Sequence, residues 1–159
     1  MRGKAHRDNF MRSILAVAIL GVAACASAPP PMPEKVVEQF MWDYTKAWNK
    51  HDAATIARDF YRTGPTVEEQ TANLERSFEN LRGQGYHHSD IFEVRACMTG
   101  ADTAWAGMKF SRLKSDAEPL PPKDRASSYT LKKFEDGWRI TRVGAGGVSA
   151  DKPLECPAG

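Results

Sequence analysis

The 159-residue sequence has few of the residue patterns that identify a particular chemistry. Its three cysteines form no Cys-x-x-Cys pair, which argues against a dithiol redox motif and against the zinc sites built on such pairs. Its four histidines belong to no convincing set of metal ligands. Phosphate-binding loops, paired-carboxylate signatures and serine nucleophile elbows are also missing. We therefore predict neither a metal nor a cofactor.

Charge of one sign is not in excess. The first 24 residues hold four of the 22 basic residues and one of the 20 acidic residues, which leaves 18 basic and 19 acidic residues in the rest of the chain. This near balance leaves no basic stripe of the kind that nucleic-acid-binding proteins present to phosphates. We therefore predict no nucleic-acid partner.

The amino-terminal segment resembles an export signal. Its first twelve residues carry four basic side chains and one acid, and an apolar run follows over residues 14–24. A basic head before a short apolar stretch is typical of a secretory signal peptide. The run is shorter than the roughly 20 apolar residues that span a bilayer. We predict a signal peptide over residues 1–24 and an exported protein of the bacterial cell envelope.

Two processing sites remain open at the end of this segment. Residues 22–25, with the sequence VAAC, are similar to the lipobox of bacterial lipoproteins, in which Cys25 becomes the lipidated first residue. Ordinary cleavage after Ala26 or Ala28 is the alternative. A lipid on Cys25 would tether the protein to a membrane, and the two residues that follow resemble those of lipoproteins at the periplasmic face of the outer membrane. Residues 25–33 are proline-rich and would form an extended tether.

Two cysteines remain beyond the tether, Cys97 and Cys156. An exported compartment permits a disulfide between them. Such a bond would close a loop of about 60 residues and contribute roughly 4 kcal/mol on the chain-entropy model. The alternative is a buried Cys97 and a loose Cys156. We expect residues 34–148 to form one domain and residues 149–159 to form a flexible tail.

Helical periodicity dominates the first half of the domain. A wide apolar stripe predicts a first helix over residues 34–50, and Asp52 can cap a second helix over residues 53–60. Thr66-x-x-Glu69 is a capping box that predicts the start of a third helix. That helix is expected to end at two nearby glycines. The stripe of the first helix consists of Val37, Met41, Tyr44 and Trp48.

The apolar period changes to two after residue 88. Alternation predicts four strands, over residues 89–99, 103–110, 127–134 and 138–143. The sequence Glu135-Asp136-Gly137 between the last two indicates a tight hairpin. Helices followed by consecutive antiparallel strands predict an α+β domain with the helices packed on one face of the sheet.

Two segments resemble the nuclear transport factor 2-like superfamily. Residues 40–52 read F-x-x-x-Y-x-x-x-W-N-x-H-D, which resembles the end of that family's first helix. Residues 128–133 and 136–140 resemble the final hairpin of its SnoaL-like members. The resemblance implies a cone of three helices wrapped by a curved, mainly antiparallel sheet, with a pocket between them. Members include isomerases, cyclases, hydrolases and non-catalytic binding domains, so the fold alone does not fix the function.

The resemblance implies that aromatic side chains line this pocket. Trp105 is out of phase with the apolar face of its strand, so solvent, a partner subunit and the pocket all remain open for it. His88 and Asp59 are weak candidates for an acid or base. The candidate pocket residues are Tyr44, Trp48, Tyr61, Trp105 and Tyr129.

Three functions follow from this reading. The leading hypothesis is a tethered domain that binds a small apolar or aromatic ligand or acts as a scaffold. The second is a SnoaL-like isomerase, cyclase or hydrolase that uses His88 or Asp59 with Tyr61 or Tyr129. The third is a homodimeric interaction module that meets its partner through the outer sheet face around Trp105.

Overall fold

The structure is a computed structural model that describes residues 32–144 and 146–157. The predicted signal peptide, Cys25 and nearly all of the predicted tether lie outside the described residues. None of the helices in the described part of the chain is long and apolar enough to cross a membrane.

The two long helices begin where the sequence predicts. Helix α1 (Pro33–Asn49) carries a proline at its first position, where the missing amide proton costs no hydrogen bond. Helix α3 (Val67–Gly83) is capped by Thr66, whose hydroxyl oxygen accepts a hydrogen bond of 3.1 Å from the amide of Glu69. Both helices turn their apolar stripes into the same hydrophobic core, as their periodicity requires.

The segment between them differs from the single predicted helix over residues 53–60. Helix α2 (Ala53–Thr55) is one turn long, and Asp52 caps it by accepting from the amide of Thr55 at 3.0 Å. A π-helical turn (Ile56–Phe60) follows, and it is one residue wider than an α-helical turn. We attribute the difference to Tyr61, which leaves this turn to pair with the sheet and so competes with continued α-helix.

The sheet is an antiparallel meander. Its strands are β1 (His88–Met98), β2 (Thr103–Leu113), β3 (Arg125–Phe134) and β4 (Gly137–Val143), and they lie side by side in chain order. Gly137 closes the predicted hairpin with φ +112°, a backbone conformation that favours glycine. The predicted α+β class, with three helices on a curved antiparallel sheet, is confirmed.

One core fills the space between the helices and the inner face of the sheet. Its most deeply buried large side chains are 0–1% exposed, so this layer supplies most of the hydrophobic stabilisation. The set comes from all layers of the fold and includes Val37, Met41, Ile56, Phe78, Leu131 and Ile140.

Residues 146–157, which we call the strap, cover part of the outer face of the sheet. The Ser128 hydroxyl donates to the carbonyl of Gly146 at 2.8 Å, and the Arg95 guanidinium donates to the carbonyl of Leu154 at 3.1 Å. A disulfide joins Cys97 to Cys156, with the Cα atoms 5.8 Å apart. The end of the chain is therefore attached to β1 at two points and to β3 at one. The sequence, in contrast, favoured a flexible tail over residues 149–159.

Trp105 lies under this strap. It is 7% exposed, and strand alternation places it on the face opposite to Ala104 and Ala106. Its indole and the Leu154 side chain both lie over Gly107, since a methyl group built there would fall 2.6 Å from one and 3.0 Å from the other. The expectation that Trp105 lines the pocket is wrong, because its ring packs against the strap on the opposite face of the sheet.

Candidate ligand-binding cavity

A cavity of about 110 Å³ opens between helix α1 and the inner face of the sheet. It is smaller than the pockets of roughly 300–1,000 Å³ that hold drug-sized ligands. A molecule the size of one small ring therefore suits it without rearrangement. Helix α1 contributes Tyr44, Thr45, Trp48 and Asn49, the segment after the π-turn contributes Tyr61, and the sheet contributes Ser89, Ile91, Met108, Phe110, Arg112, Ser127, Tyr129 and Val143.

Three phenols, Tyr44, Tyr61 and Tyr129, form one wall, which we call the tyrosine cluster. The hydroxyl oxygens of Tyr44 and Tyr61 are 2.9 Å apart and share a hydrogen bond. Their ring centroids are 5.7 Å apart in a stacked arrangement, and the Tyr129 ring meets Tyr44 edge-on at 5.8 Å. The cluster thus joins the helical layer to the sheet and places phenol hydroxyl groups in the wall of a mainly apolar cavity.

The π-turn positions Tyr61 in this cluster. The amide of Tyr61 donates to the carbonyl of Ile56 at 2.9 Å, which closes the wide turn. Tyr61 then forms a parallel bridge with Ile140, and the amide of Arg62 donates to the Ile140 carbonyl at 2.8 Å. Because these bonds fix the backbone on both sides of Tyr61, its ring is held against Tyr44. Such turns often occur at functional sites.

Burial keeps the tyrosine cluster protonated. It raises the pKa of Tyr44 well above 10, and the neighbouring phenols of Tyr61 and Tyr129 add to the effect. Burial also raises the pKa of Tyr61 and of Tyr129. These side chains are neutral at physiological pH, so they can donate hydrogen bonds to a ligand but are poor general bases.

A polar clamp fixes the floor of the cavity. The Asn49 side chain donates from Nδ2 to the Ser89 carbonyl and accepts at Oδ1 from the Ser89 amide, both at 2.9 Å. The Ser89 hydroxyl also shares a hydrogen bond of 2.9 Å with the Tyr86 hydroxyl. This pair of backbone contacts ties the end of α1 to the start of β1 and holds Trp48, the neighbour of Asn49, over the cavity.

Arg112 brings a positive charge into the lining. Its guanidinium carbon lies 5.9 Å from the ring centroid of Tyr86 and 6.0 Å from that of Phe110, which are cation–π distances. The Nε of Arg112 is buried and has no hydrogen-bond partner within the described residues. The cavity therefore combines apolar walls, neutral hydroxyl groups and one cation.

The structure brings together four of the five residues that the sequence nominated for the pocket. Tyr44, Trp48, Tyr61 and Tyr129 all line the cavity, whereas Trp105 lies on the other face of the sheet. Trp48 is further held by the Phe78 ring, with centroids 4.7 Å apart.

The two weak catalytic candidates lie outside the lining. The Asp59 carboxylate pairs with Arg58 at 2.7 Å, is 45% exposed, and has a pKa lowered by that hydrogen bond. His88 lies near Asp90, with Nε2 to Oδ1 at 3.7 Å. Strand alternation turns Ser89 and Ile91 into the cavity, and this places His88 on the opposite face.

Sequence reasoning missed Asn49 and Arg112 as lining residues. Asn49 lies in the segment that resembles the family's first helix, but no local pattern marks it as a lining residue, because its partner Ser89 is 40 residues away. The position of Arg112 could have been predicted from the sequence, because it continues an apolar alternation on the inner face of β2. That alternation consists of Ala104, Ala106, Met108 and Phe110. An arginine in phase with an apolar strand face indicates a charge directed at the core side of a sheet.

Comparison with known protein families identifies the family of this chain. Residues 33–146 match the model of a family described as NTF2-like protein (DUF6841). Comparison with the curated proteins gives no significant match.

Solved structures share the fold at low identity. Aln2 from a Streptomyces species is 15% identical with a TM-score of 0.54, over 71% of this chain and 90% of that one. An NTF-2-like protein of unknown function from Shewanella oneidensis is 14% identical with a TM-score of 0.54, over 70% and 97%. An NTF2-like protein with a cystatin-like fold from Novosphingobium aromaticivorans is 15% identical with a TM-score of 0.52, over 73% and 84%. At such identities the likeness shows the fold alone.

Proposed function

The chain belongs to the NTF2-like protein family DUF6841, and from that premise we propose that its domain binds a small apolar or aromatic molecule in the cavity beside helix α1. One observation carries the proposal: the phenols of Tyr44, Tyr61 and Tyr129 converge on a mainly apolar space of about 110 Å³. Concave apolar pockets with a few convergent polar groups are the usual form of small-molecule sites.

The composition of the lining favours binding over acid–base chemistry. Among the described residues, those that line the cavity include no aspartate, glutamate or histidine. The enzyme hypothesis relied on Asp59 or His88, and both lie outside the lining. The neutral tyrosines suit the recognition of a ligand oxygen, which needs a hydrogen-bond donor and no proton transfer.

Native mass spectrometry of the full chain, produced in an exporting bacterial host and purified gently, tests the proposal. We expect a defined extra mass on the wild type. Ser127→Phe places a ring in the cavity and should remove that mass, whereas Ser115→Phe makes the same change in an exposed loop and should keep it. A retained mass in Ser127→Phe, or binding of no small molecule by the wild type in a fragment screen, would contradict a ligand site here.

We also propose that the domain is exported and held at a membrane by a lipid on Cys25. The basic head, the apolar run and the VAAC sequence support this. The Cys97–Cys156 disulfide is an independent support, because such bonds persist in oxidising compartments. Lipid labelling and cell fractionation of the wild type and Cys25→Ser test it. Unlabelled wild type, or membrane attachment that survives Cys25→Ser, would contradict the lipid anchor.

A further inference from the structure

Two arginines share the inner face of the sheet at one end of the cavity. Arg112 follows Phe110 by two residues on β2, and Phe110 pairs across the ladder with Arg125 on β3. Arg125 in turn precedes Ser127 and Tyr129, which line the cavity, by two and four residues. Alternation therefore puts both guanidinium side chains on the cavity side of neighbouring strands.

Neither charge is neutralised by a carboxylate in the described part of the chain. Within residues 32–144 and 146–157, no carboxylate oxygen lies within 4.0 Å of a nitrogen of Arg112 or Arg125. The Nε atoms of both side chains are buried without a hydrogen-bond partner in the same residues. The Arg125 side chain donates a hydrogen bond from Nη2 to the Pro121 carbonyl at 2.7 Å.

The two cations also repel each other. Burial lowers the pKa of Arg125, and the positive charge of Arg112 lowers it further. Buried donors without acceptors and neighbouring like charges both cost folding free energy. Two cations without a carboxylate partner on one wall of a cavity are typical of a site that binds an anion.

The surroundings of Arg112 favour a planar anion. The rings of Tyr86 and Phe110 approach the guanidinium at cation–π distances, and an arginine held by aromatic rings keeps its N–H edge free for a carboxylate. Apart from a few neutral polar groups, the rest of the lining is aromatic or aliphatic, and the cavity holds about 110 Å³. The ligand must therefore combine one anionic group with a small apolar body.

We propose that the cavity recognises a small carboxylic acid with an apolar body, such as a single-ring aromatic acid, through the guanidinium of Arg112 with support from Arg125. This rests on the proposed ligand-binding function and adds the class of ligand. The carboxylate would lie at the Arg112 end, and the apolar body would lie against the tyrosine cluster.

Calorimetric titration of the full chain with paired ligands tests this. The panel contains single-ring and short-chain carboxylates, each with its neutral amide, for example benzoate with benzamide. We expect the wild type to bind at least one acid about tenfold or more tightly than its amide, as a charge-assisted hydrogen bond predicts. Arg112→Gln should abolish the preference and keep the amide affinity. Arg142→Gln removes an exposed arginine outside the lining and should change neither.

The outcomes separate the two proposals. Equal affinity for acids and amides in the wild type, or an acid preference that survives in a folded Arg112→Gln, would overturn the anion inference and leave ligand binding in place. The comparison of acid and amide affinities in the wild type needs no variant, so it tests the inference even if Arg112→Gln does not fold. No binding of any acid at millimolar concentration would also overturn it, while the native mass of the purified chain decides the ligand-binding function separately.

Discussion

The phenol oxygens of Tyr44 and Tyr61 lie 2.9 Å apart, and their hydrogen bond joins helix α1 to the segment that leaves the π-turn. Tyr44 is 4% exposed, so the bond lies in a low-dielectric environment. The pair therefore contributes both to the wall of the cavity and to the contact between two layers of the fold.

A double-mutant cycle should detect this bond as energetic coupling. Tyr44→Phe and Tyr61→Phe each leave one buried hydroxyl without its partner, and the double variant removes both. We expect a coupling free energy of about 1 kcal/mol from urea unfolding. Tyr86→Phe is the control, because Tyr86 bonds Ser89 instead, and its effect should add to that of Tyr44→Phe. Additive effects of Tyr44→Phe and Tyr61→Phe would show that the bond is not formed in solution.

Alkaline pH should unfold the protein through its buried phenols. Their raised pKa values mean that the folded chain keeps more protons than the unfolded chain above pH 10. The associated stability is complete below about pH 10 and declines above it, by up to roughly 1.4 kcal/mol per pH unit for each phenol. Denaturant unfolding between pH 8 and 11.5 measures the slope. Tyr129→Phe should make it shallower, and an unchanged slope would contradict the burial of that phenol.

Loss of the Asn49 clamp should destabilise the fold. Asn49→Ala leaves the buried amide and carbonyl of Ser89 without partners, which we expect to cost about 1–3 kcal/mol of unfolding free energy. Asn49→Asp keeps an acceptor for the amide but sets a carboxylate against the carbonyl, so it should not restore stability. Asn80→Ala on the exposed side of α3 should change stability by less than about 0.5 kcal/mol. Equal stability of Asn49→Ala and Asn80→Ala would count against the clamp.

Gly107 should not tolerate a side chain. A methyl group there would fall 2.6 Å from the Trp105 ring and 3.0 Å from Leu154, so Gly107→Ala should destabilise the protein by about 1–3 kcal/mol. Gly83→Ala is the matched change at the end of α3, where no atom lies within 4 Å of the added methyl. It should be neutral or stabilising. Thermal unfolding compares the two, and a neutral Gly107→Ala would contradict the packing of the strap.

The sequence predicted those parts of the fold that depend on local periodicity. The stripe of α1 and the alternation of the strands record which side of each element faces the core, and that pattern is sufficient to place Tyr44, Trp48 and Tyr129 on the inner side. The capping threonine of α3 is equally local, because its acceptor and donor are three residues apart.

The features that escaped prediction depend on contacts between distant segments. Trp105 lies under Leu154, and no periodicity within β2 reveals that a strap will cover its outer face. The π-turn arises because Tyr61 pairs with Ile140, about 80 residues along the chain. The cavity itself requires Arg112 and Asn49 to face the same space from different layers, which only the tertiary structure determines.

The disulfide between Cys97 and Cys156 makes a covalent ring of the chain between them, and that ring contains the exposed loop between β2 and β3. A protease that cuts this loop would therefore release no fragment, because both pieces stay joined through the bond. The nicked molecule would keep its sheet and its mobility on a non-reducing gel, and only a reducing agent would separate the two pieces. In an environment rich in proteases, a domain joined in this way can survive a broken backbone.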